Sequence, residues 1–394
     1  MKLREIHIKG FKSIVDQQVE LGRVNCFIGG NGVGKSNILE ALGVLSAAAA
    51  GRVDDEAIIR RGVRAGLPRL FKSSFAGMRI PPDIMLEARS ASDTIFRVSL
   101  LNPLDKPEPA WSFKTEYLSS GGKEIVSRGV RDKVQDEKNF DKTAGLSALK
   151  LVNLQTDDPA SVLMKTLQGY AIYTPNTPAL RATVPDSQTR LPVGLAGGGL
   201  AEGFDSLKRE MREEEIADVL ALIDWVSDVA ATDSAGALLS PAIPRAKRVL
   251  KFTDRFMAES RNSLTAYDAS EGALYVLFAA ILCLSSSSPA VFAIDNLDSA
   301  LNPRLVTRLV ERLGEWLRSS DPNRQLLFTA HNPTVLDGLD LEDDEIRLFA
   351  VERNSAGYTT IRRITVSAEL LRLNEEYPLS RLWAMGNLGA VPNV

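Results

Sequence analysis

The sequence predicts an α/β fold in which helices cover a mixed β-sheet, with a mostly helical insertion between its two halves. Three observations support this prediction. A glycine-rich loop at residues 29–36 lies between an apolar strand pattern and a helix pattern. Strand and helix patterns alternate again from Val249 onward, which is typical of a sheet with parallel strands. The stretch between these parts is charged at first and helical later, so we expect an insertion there.

The N-terminal elements follow from short alternations of apolar and polar residues, which are typical of half-buried strands. These alternations predict strands at residues 3–9, 18–21, 24–28, 84–87 and 95–101, with a helix after the glycine-rich loop. A charged, weakly periodic stretch at 119–156 is interpreted as an insertion. The predicted division of the chain is an N-terminal lobe at 1–117, an insertion or helical region at 118–245, a C-terminal lobe at 246–368 and a helical tail at 369–394.

The later elements are predicted by longer apolar patterns. Residues 170–173 indicate a short strand, and residues 202–229 carry an apolar stripe at helical spacing. Helices are predicted at 273–284 and 303–317. Apolar segments bounded by turn residues predict strands at 250–252, 291–295, 325–329, 345–351 and 358–364.

The composition excludes several classes of protein. A formal net charge of −3 gives no overall attraction to nucleic acid, so such binding requires a local basic patch. Cys26 and Cys283 are too few for a disulfide framework or a zinc site, and both have apolar neighbours that indicate burial. The longest apolar run, at 274–284, is too short to cross a bilayer. Because the N-terminus also lacks the apolar core of a signal peptide, we expect a cytoplasmic protein without a membrane partner.

The glycine-rich loop has the sequence GGNGVGKS, which matches the pattern G-x-x-x-x-G-K-[ST]. Its glycines allow backbone N–H groups to surround phosphate oxygens, and its lysine places a positive charge on the β- and γ-phosphates. The serine hydroxyl is a ligand for Mg²⁺, and the helix that follows directs its positive end at the phosphates. The loop therefore predicts a nucleoside triphosphate bound with Mg²⁺ by the glycines Gly29, Gly30, Gly32 and Gly34 together with Lys35 and Ser36.

A second Mg²⁺ ligand is predicted at Asp295. A site of this kind needs a carboxylate, usually at the end of an apolar strand, and the segment AVFAID ends at Asp295. Asp295 lies far beyond Lys35 in the chain, which indicates a large insertion between the two halves of the nucleotide-binding domain. The alternative interpretation is a carboxylate that only caps the end of its strand.

The order of the motifs resembles that of the ATP-binding-cassette (ABC) class of ATPases, specifically the branch that contains the RecF, SMC and OLD-like proteins. Ser270-Glu271-Gly272 precedes a helix that leads to the Asp295 strand, and a later strand ends just before His331. The segment IHIKGFKSI and the loop form G-x-N-G-x-G-K-S-N also resemble that branch, and the resemblance adds Asn31 and Asn37 to the implied ATP-binding residues. The match covers residues 1–45 and roughly 250–335. The resemblance implies an ABC-type P-loop NTPase head that uses ATP and Mg²⁺.

The resemblance also implies how the site is completed. Ser270, Glu271 and Gly272 would form the signature turn that contacts the γ-phosphate held by a second protomer, which implies a homodimer through paired ATP sites. His331 would be the switch histidine near that phosphate. From the residues alone, Ser270 is equally well explained as the N-cap of the following helix, and a lone histidine as a structural residue.

One position departs from the pattern of the branch, which has a glutamate directly after the metal-binding aspartate. This chain has Asn296, whose amide can orient a water molecule but cannot accept its proton. Asp298 aligns with another acidic position and is a candidate for the missing base. The alternative is a slow or latent ATPase that stays in the ATP-bound dimer, because phosphoryl transfer relies mainly on positioning and charge. The predicted catalytic residues are Asn296, Asp298 and His331.

Three functions remain open at the level of sequence. The insertion is too short for the coiled coil of an SMC protein, and the tail has no acidic cluster typical of a nuclease. The first function is an ATP-dependent switch or sensor that controls a separate effector protein, as in bacterial anti-phage defence. The second is a RecF-like repair ATPase that binds DNA directly, and the third is a scaffold that binds ATP without hydrolysis. The best local basic cluster consists of Arg60, Arg61, Arg64, Arg69 and Lys72.

Overall fold

The structure is a computed structural model that describes residues 1–102, 110–129, 141–186, 188–233, 238–240, 242–243, 248–386 and 388. Part of the predicted insertion (130–140) and the end of the predicted tail (389–394) lie outside the described residues.

The described strands are β1 (Leu3–Phe11), β2 (Ile14–Glu20), β3 (Val24–Ile28), β4 (Ile84–Ser90), β5 (Ile95–Leu101), β6 (Ser112–Ser120), β7 (Lys123–Arg128), β8 (Ile172–Tyr173), β9 (Val226–Thr232), β10 (Val249–Asp254), β11 (Ser263–Thr265), β12 (Val291–Ile294), β13 (Gln325–Ala330), β14 (Ile346–Arg353) and β15 (Thr359–Ile364).

The described α-helices are α1 (Lys35–Ala49), α2 (Asp55–Ile59), α3 (Leu146–Lys150), α4 (Pro159–Gly169), α5 (Thr177–Leu180), α6 (Leu200–Glu210), α7 (Glu213–Leu220), α8 (Glu271–Leu284), α9 (Pro303–Ser320), α10 (Ala368–Glu376) and α11 (Leu379–Ala384). None of the helices in the described ranges is long and apolar enough to span a membrane.

The central sheet is mixed, as the sequence predicts, and its strands lie in the order β15-β14-β3-β13-β12-β8. The strands β14, β3, β13, β12 and β8 run parallel, and β15 is antiparallel to β14. The carboxyl ends of β3, β12 and β13 therefore meet at one edge of the sheet. The insertion contributes β8, and the backbone N–H of Asp295 donates to the carbonyl oxygen of Tyr173 at 2.9 Å.

Both faces of the central sheet are covered, which explains why all five residues of β3 are buried. Because successive strand residues point to opposite faces, Cys26 and Phe27 belong to different hydrophobic clusters. The cluster around Cys26 includes α6, α8 and α9, whereas the cluster around Phe27 includes α1, α4 and an antiparallel sheet. The prediction that Cys26 and Cys283 are buried small residues is confirmed.

The antiparallel sheet has the strand order β2-β1-β4-β5-β6-β7. Its last two strands differ from the sequence prediction, which assigned 119–156 to an insertion. The predicted lobe boundary at residue 117 falls inside β6, and β7 extends the same sheet to Arg128. The alternation of β7 was hidden because its two exposed residues, Lys123 and Glu124, are consecutive and charged, and because one of its two buried residues, Arg128, is charged as well.

The predicted helix at 202–229 is wrong beyond residue 220. The chain forms α6 and α7 with a break between them, and then β9, which pairs with β10 in a small sheet of order β11-β10-β9. The break occurs because the backbone N–H of Arg212 donates to Glu215 Oε2 at 2.9 Å and starts a new helix. Val226 and Val229 continue the apolar stripe, but antiparallel pairing with β10 determines their conformation.

Gly62 allows the segment after α2 to pack against β8. Its φ is +75°, and a Cβ atom at this position would lie 2.2 Å from the carbonyl oxygen of Ile172. We expect Gly62→Ala to lower the free energy of unfolding by about 2 kcal/mol, because the left-handed backbone and the close contact both oppose a side chain. Urea denaturation measures this change. Gly66→Ala is the matched control, since no atom lies within 4 Å of its Cβ position; equal losses in the two variants would contradict the prediction.

Candidate nucleotide-binding site

The glycine-rich loop connects the end of β3 to the start of α1. Gly34 directly precedes the helix with φ of +108°, and a Cβ atom there would lie 2.3 Å from the Oγ1 of Thr359. At Gly29, a Cβ atom would lie 2.1 Å from the carbonyl oxygen of Val351. The loop therefore needs glycine at both positions in order to lie against β14 and β15.

A chain of side-chain hydrogen bonds braces the outer side of the loop. Asn37 Nδ2 donates to Ser13 Oγ at 2.7 Å, and Thr359 Oγ1 donates to the carbonyl oxygen of Val33 at 2.6 Å. The two hydroxyls lie 2.6 Å apart, so the Ser13 hydroxyl donates to Thr359, whose own proton is already used. Thr359 could not be assigned a role from the sequence, because its strand carries no motif.

Lys35 is the first residue of α1, and its side chain extends into the glycine-rich loop. Its Nζ donates to the carbonyl oxygens of Gly29 and Gly30 at 2.8 and 2.9 Å. Burial lowers the pKa of Lys35 to about 8, and the negative charges of Asp295 and Asp298 oppose this shift. The lysine is therefore a cation held at the centre of the loop near neutral pH, where phosphate oxygens are its natural partners.

Ser36 and Asp295 come together, as the sequence predicts for two ligands of one metal. Ser36 Oγ donates to the carboxylate of Asp295, with both oxygens at 3.0 Å, and Thr329 Oγ1 donates to Asp295 Oδ1 at 2.5 Å. A hydroxyl and a carboxylate are oxygen donors of the kind that Mg²⁺ binds together with phosphates and water. The described residues hold no cluster of three His, Cys, Asp or Glu side chains for a metal. The pair thus fits Mg²⁺ that arrives with a nucleotide.

His331 links Lys35 to Asn296. The Nδ1 atom of His331 lies 3.3 Å from Lys35 Nζ, and its Nε2 atom lies 3.0 Å from Asn296 Oδ1. An ammonium group can only donate, so Nδ1 is the acceptor and the ring proton is on Nε2, which donates to the amide oxygen. Partial burial and the charge of Lys35 lower the pKa of His331, which favours this neutral form.

Asn296 has a left-handed backbone with φ of +58°, a conformation that asparagine adopts more readily than most residues. Its backbone N–H donates to Thr329 Oγ1 at 2.8 Å, so Thr329 contacts both Asp295 and Asn296. The amide oxygen of Asn296 is engaged by His331. The side chain therefore keeps its two N–H donors for other partners. Thr329 was not predicted as a site residue, although its position at the end of β13, two residues before His331, is a usable signal.

Asp298 braces the segment that carries His331. Its Oδ2 accepts from the backbone N–H groups of His331 and Asn332 at 2.9 and 2.6 Å, and its Oδ1 is buried without a hydrogen bond among the described residues. One oxygen thus orients the loop after β13. The predicted role of Asp298 as a base stays a prediction.

The tripeptide Ser270-Glu271-Gly272 lies at the start of α8. Ser270 Oγ accepts from the backbone N–H of Ala273 at 3.4 Å, which confirms the N-cap interpretation. Ser270 and Glu271 are exposed. No hydrogen bond between described residues joins the tripeptide to the glycine-rich loop of the same chain. Its predicted role in contacting a nucleotide held by a second protomer stays a prediction.

The basic residues that the sequence groups together do not form one exposed patch. Arg61 and Lys72 are buried, and the Nζ of Lys72 donates to the carbonyl oxygen of Pro82 at 2.7 Å. Arg64 Nε donates to Glu40 Oε1 at 2.7 Å. Arg60 also pairs with the carboxylate of Glu56, so four of the five positive charges are committed to contacts within the chain.

Two family models match parts of the chain. One, described as "AAA domain, putative AbiEii toxin, Type IV TA system", matches residues 192–337. The other, described as "AAA ATPase domain", matches residues 1–72. The first match contains Asp295 and His331, and the second contains the glycine-rich loop.

Part of the chain is also similar to bacterial RecF proteins. The DNA replication and repair protein RecF of Porphyromonas gingivalis is 39% identical over 69 residues, which are 17% of this chain and 19% of that protein. RecF of Renibacterium salmoninarum is 42% identical over 73 residues, which are 18% of this chain and 18% of that protein. The chain therefore spans about a fifth of the length of these curated relatives.

Solved structures of SMC heads share the fold over nearly the whole chain. An SMC head bound to the C-winged helix domain of ScpA has a TM-score of 0.55 at 12% identity, and covers 94% of this chain and 100% of that chain. A second SMC head, derived from Pyrococcus furiosus and bound to the C-terminal domain of ScpA, has a TM-score of 0.53 at 12% identity. It covers 95% of this chain and 99% of that chain. At such identity the likeness concerns the fold alone, and it confirms the predicted P-loop head.

The loop geometry around Lys35 and the pairing of Ser36 with Asp295 are what a P-loop site requires. The matched ATPase segments contain these same residues, and the head fold surrounds them. Together these findings support the predicted similarity of the chain to ABC-type P-loop ATPases of the RecF/SMC branch.

Proposed function

We propose that the chain binds ATP with Mg²⁺, dimerises around two ATP molecules and hydrolyses them slowly, and that this cycle controls a separate effector protein. One observation carries the proposal. The side chains of Lys35, Ser36, Asp295, Asn296 and His331 meet at the carboxyl edge of β3, β12 and β13. This is the edge where the loop and helix α1 would hold phosphates.

The chemistry of these residues favours binding over rapid turnover. Lys35 and the loop N–H groups hold the phosphate charge, and Ser36 and Asp295 would hold Mg²⁺, which supplies further charge neutralisation when bound. Asn296 offers N–H donors, because its amide oxygen accepts from His331. An N–H group can hold a phosphate oxygen or position a water molecule, but it cannot remove a proton. We therefore infer slow hydrolysis, with charge stabilisation as the main contribution.

The exposure of the tripeptide at the start of α8 supports dimerisation. Ser270 and Glu271 are free to approach a second molecule, and the first turn of a helix attracts a phosphate anion. By its resemblance to the signature turn of the branch, this helix end contacts the ATP that the partner protomer holds. Each site would then be complete only in the dimer.

The role as a switch rests on slow turnover and on the matched family models. A long-lived ATP-bound dimer can present one surface to an effector until hydrolysis separates the protomers. The family model for residues 192–337 carries the description of a toxin in a type IV toxin–antitoxin system, which is compatible with a bacterial defence module. The SMC heads of similar fold are bound to domains of another protein, and we propose an analogous protein partner here.

Sedimentation velocity with ATP and Mg²⁺ tests the proposal. We expect the wild-type chain to sediment as a dimer and Lys35→Ala to remain a monomer, because it cannot hold the phosphates. Ser270→Arg should bind ATP normally and yet remain a monomer, since an arginine at this exposed helix end obstructs the partner. The matched control is Ser319→Arg, at an exposed position near the end of α9. The proposed ATP-dependent dimer would be refuted if Ser270→Arg still formed dimers, or if the wild-type chain sedimented in the same way with and without ATP.

The similarity to RecF favours direct DNA binding as a second candidate function. The match covers only part of each protein, and the basic cluster that would supply the contact is largely engaged within the chain. Binding to plain duplex DNA that weakens steeply with salt would support this candidate over the switch.

A further inference from the structure

A guanidinium cluster, formed by Arg60, Arg61 and Arg190, lies where the ends of α2 and α4 approach β8. Arg61 is only 8% exposed. Its Nε donates to Ser46 Oγ and its Nη1 donates to the carbonyl oxygen of Ala57, both at 2.7 Å. Its Nη2 makes no hydrogen bond within the described residues. Arg61 is thus a buried cation whose partners are uncharged.

Arg190 reaches the same place from a distant segment of the chain. Its Nη1 donates to the carbonyl oxygen of Arg60 at 3.1 Å, and its Nη2 donates to that of Gly169 at 2.5 Å. The hydroxyl of Tyr173 donates to the carbonyl oxygen of Leu191 at 2.8 Å, which holds the residue after Arg190 against β8. Independent contacts therefore place the guanidinium groups of two segments together.

The positive charges of the guanidinium cluster are only partly balanced. Glu56 pairs with Arg60, but no carboxylate in the described ranges forms an ion pair with Arg61 or Arg190. Burial lowers the pKa of Arg61 to about 10, and the positive charges of Arg190 and Arg60 act in the same direction. Carbonyl groups at the ends of α2 and α4 offset only part of this cost, because helix ends carry partial charges. Since buried charges are normally paired, the cluster indicates a site for an anion.

The guanidinium cluster is separate from the candidate nucleotide-binding site. Ser46, which accepts from Arg61, lies about 15 Å along the α1 axis from Ser36, the metal-ligand candidate. The glycine-rich loop would hold its phosphates at the N-terminal end of α1, whereas the cluster lies beside the C-terminal half of that helix. An anion at the cluster is therefore not part of the ATP that the loop would bind.

The chemistry of the guanidinium cluster selects the kind of anion. A guanidinium group presents a planar fork of N–H donors that matches two oxygens of a phosphate or a carboxylate. Arg61 and Arg190 together carry two positive charges without a carboxylate partner among the described residues, so a doubly charged oxyanion balances them. We propose that Arg61 and Arg190 form a second anion site, outside the nucleotide-binding site, which binds a free phosphate dianion.

Isothermal titration with inorganic phosphate at constant ionic strength tests this site. The full chain carries Lys35→Ala, so that the glycine-rich loop contributes no phosphate binding, and we expect one saturable site. Adding Arg190→Gln should weaken phosphate binding about tenfold, which corresponds to about 1.4 kcal/mol, because a charged donor is lost. Adding Arg190→Lys, which keeps the charge, should retain most of the affinity. Arg372→Gln, at an exposed arginine of α10, is the matched control.

Three outcomes would overturn the second anion site: no phosphate binding in Lys35→Ala, unchanged affinity in Arg190→Gln, or an equal loss in Arg372→Gln. Thermal unfolding of each variant excludes misfolding as the cause, and the wild-type chain repeats the test, because Arg190→Gln should then remove one of two phosphate sites.

A second probe distinguishes free phosphate from the backbone of a nucleic acid. Dimethyl phosphate is a singly charged diester like the links of that backbone, and it should bind more weakly than inorganic phosphate. Equal or tighter binding of dimethyl phosphate would overturn the assignment to a free dianion. Failure of the wild-type chain to bind ATP would refute the proposed function alone, because the anion site is measured with the loop inactivated.

Discussion

Replacing Asn296 with glutamate is expected to raise the rate of ATP hydrolysis by about tenfold or more, because the site then gains a proton acceptor. Asn296 directly follows the metal-ligand candidate Asp295, and its backbone is held by Thr329. A carboxylate there can still accept from His331 Nε2–H, as the amide oxygen does. Steady-state phosphate release measures the rate. The left-handed backbone at this position opposes glutamate, so the variant is also expected to be slightly less stable.

Asn296→Gln is the matched control, since glutamine has the length of glutamate without its basicity. If glutamine accelerates turnover as much as glutamate, side-chain reach is the cause and the inference about the missing base is wrong. Asp298→Asn tests the alternative that Asp298 is the base. Asparagine lacks the basicity of the carboxylate but keeps an oxygen for the N–H groups of His331 and Asn332. A large loss of wild-type activity in Asp298→Asn would make Asp298 the base. Asp298→Ala cannot decide this point, since it also removes the brace of the His331 segment.

Asp295→Asn is expected to lower turnover by about 100-fold and to remove the effect of Mg²⁺ on ATP binding. The amide keeps one oxygen for the hydroxyls of Ser36 and Thr329 but lacks the charge that binds a divalent cation. Nucleotide affinity measured with Mg²⁺ and with a chelator gives the size of the effect in each protein. The wild type should bind more tightly with Mg²⁺, and the variant should bind equally in both conditions.

Asp340→Asn serves as the control, because Asp340 is exposed and, among the described residues, its side chain accepts only from the backbone N–H of Glu342. An Asp295→Asn variant that still responds to Mg²⁺ like the wild type would show that another residue holds the metal. Thermal unfolding should be compared as well. The charge of Asp295 opposes the lowering of the Lys35 pKa by burial, and its loss makes the buried lysine less favourable.

The sequence predicts the local parts of this site well. The strand, loop and helix around Lys35 are contiguous, and each has a strong pattern. The pairing of Ser36 with Asp295 was also predictable, because ends of parallel strands meet at one edge of a sheet. The contact between His331 and Asn296 was not, since it depends on side-chain rotamers at the ends of two strands.

The region after Glu202 shows the opposite case, in which a clear pattern is misleading. The apolar stripe is compatible with one long helix, and nothing local distinguishes the end of α7 from its continuation into β9. Antiparallel pairing with β10 decides the conformation of β9. A local sequence pattern cannot predict this pairing, because β10 lies in a separate, later segment of the chain. Charged residues on the exposed positions of β7 concealed a strand in the same way.

The hydrogen bond from Asp295 to Tyr173 has a thermodynamic consequence. The edge strand β8 belongs to the segment between the two halves of the head, and it is bonded directly to the residue that would hold the metal. A molecule that binds this segment and displaces β8 is expected to change the affinity for nucleotide. Linkage then requires the reverse effect, by the same factor: nucleotide changes the affinity for that molecule. The two-residue strand β8 thus offers a route by which binding outside the phosphate site and nucleotide binding within it would be thermodynamically coupled.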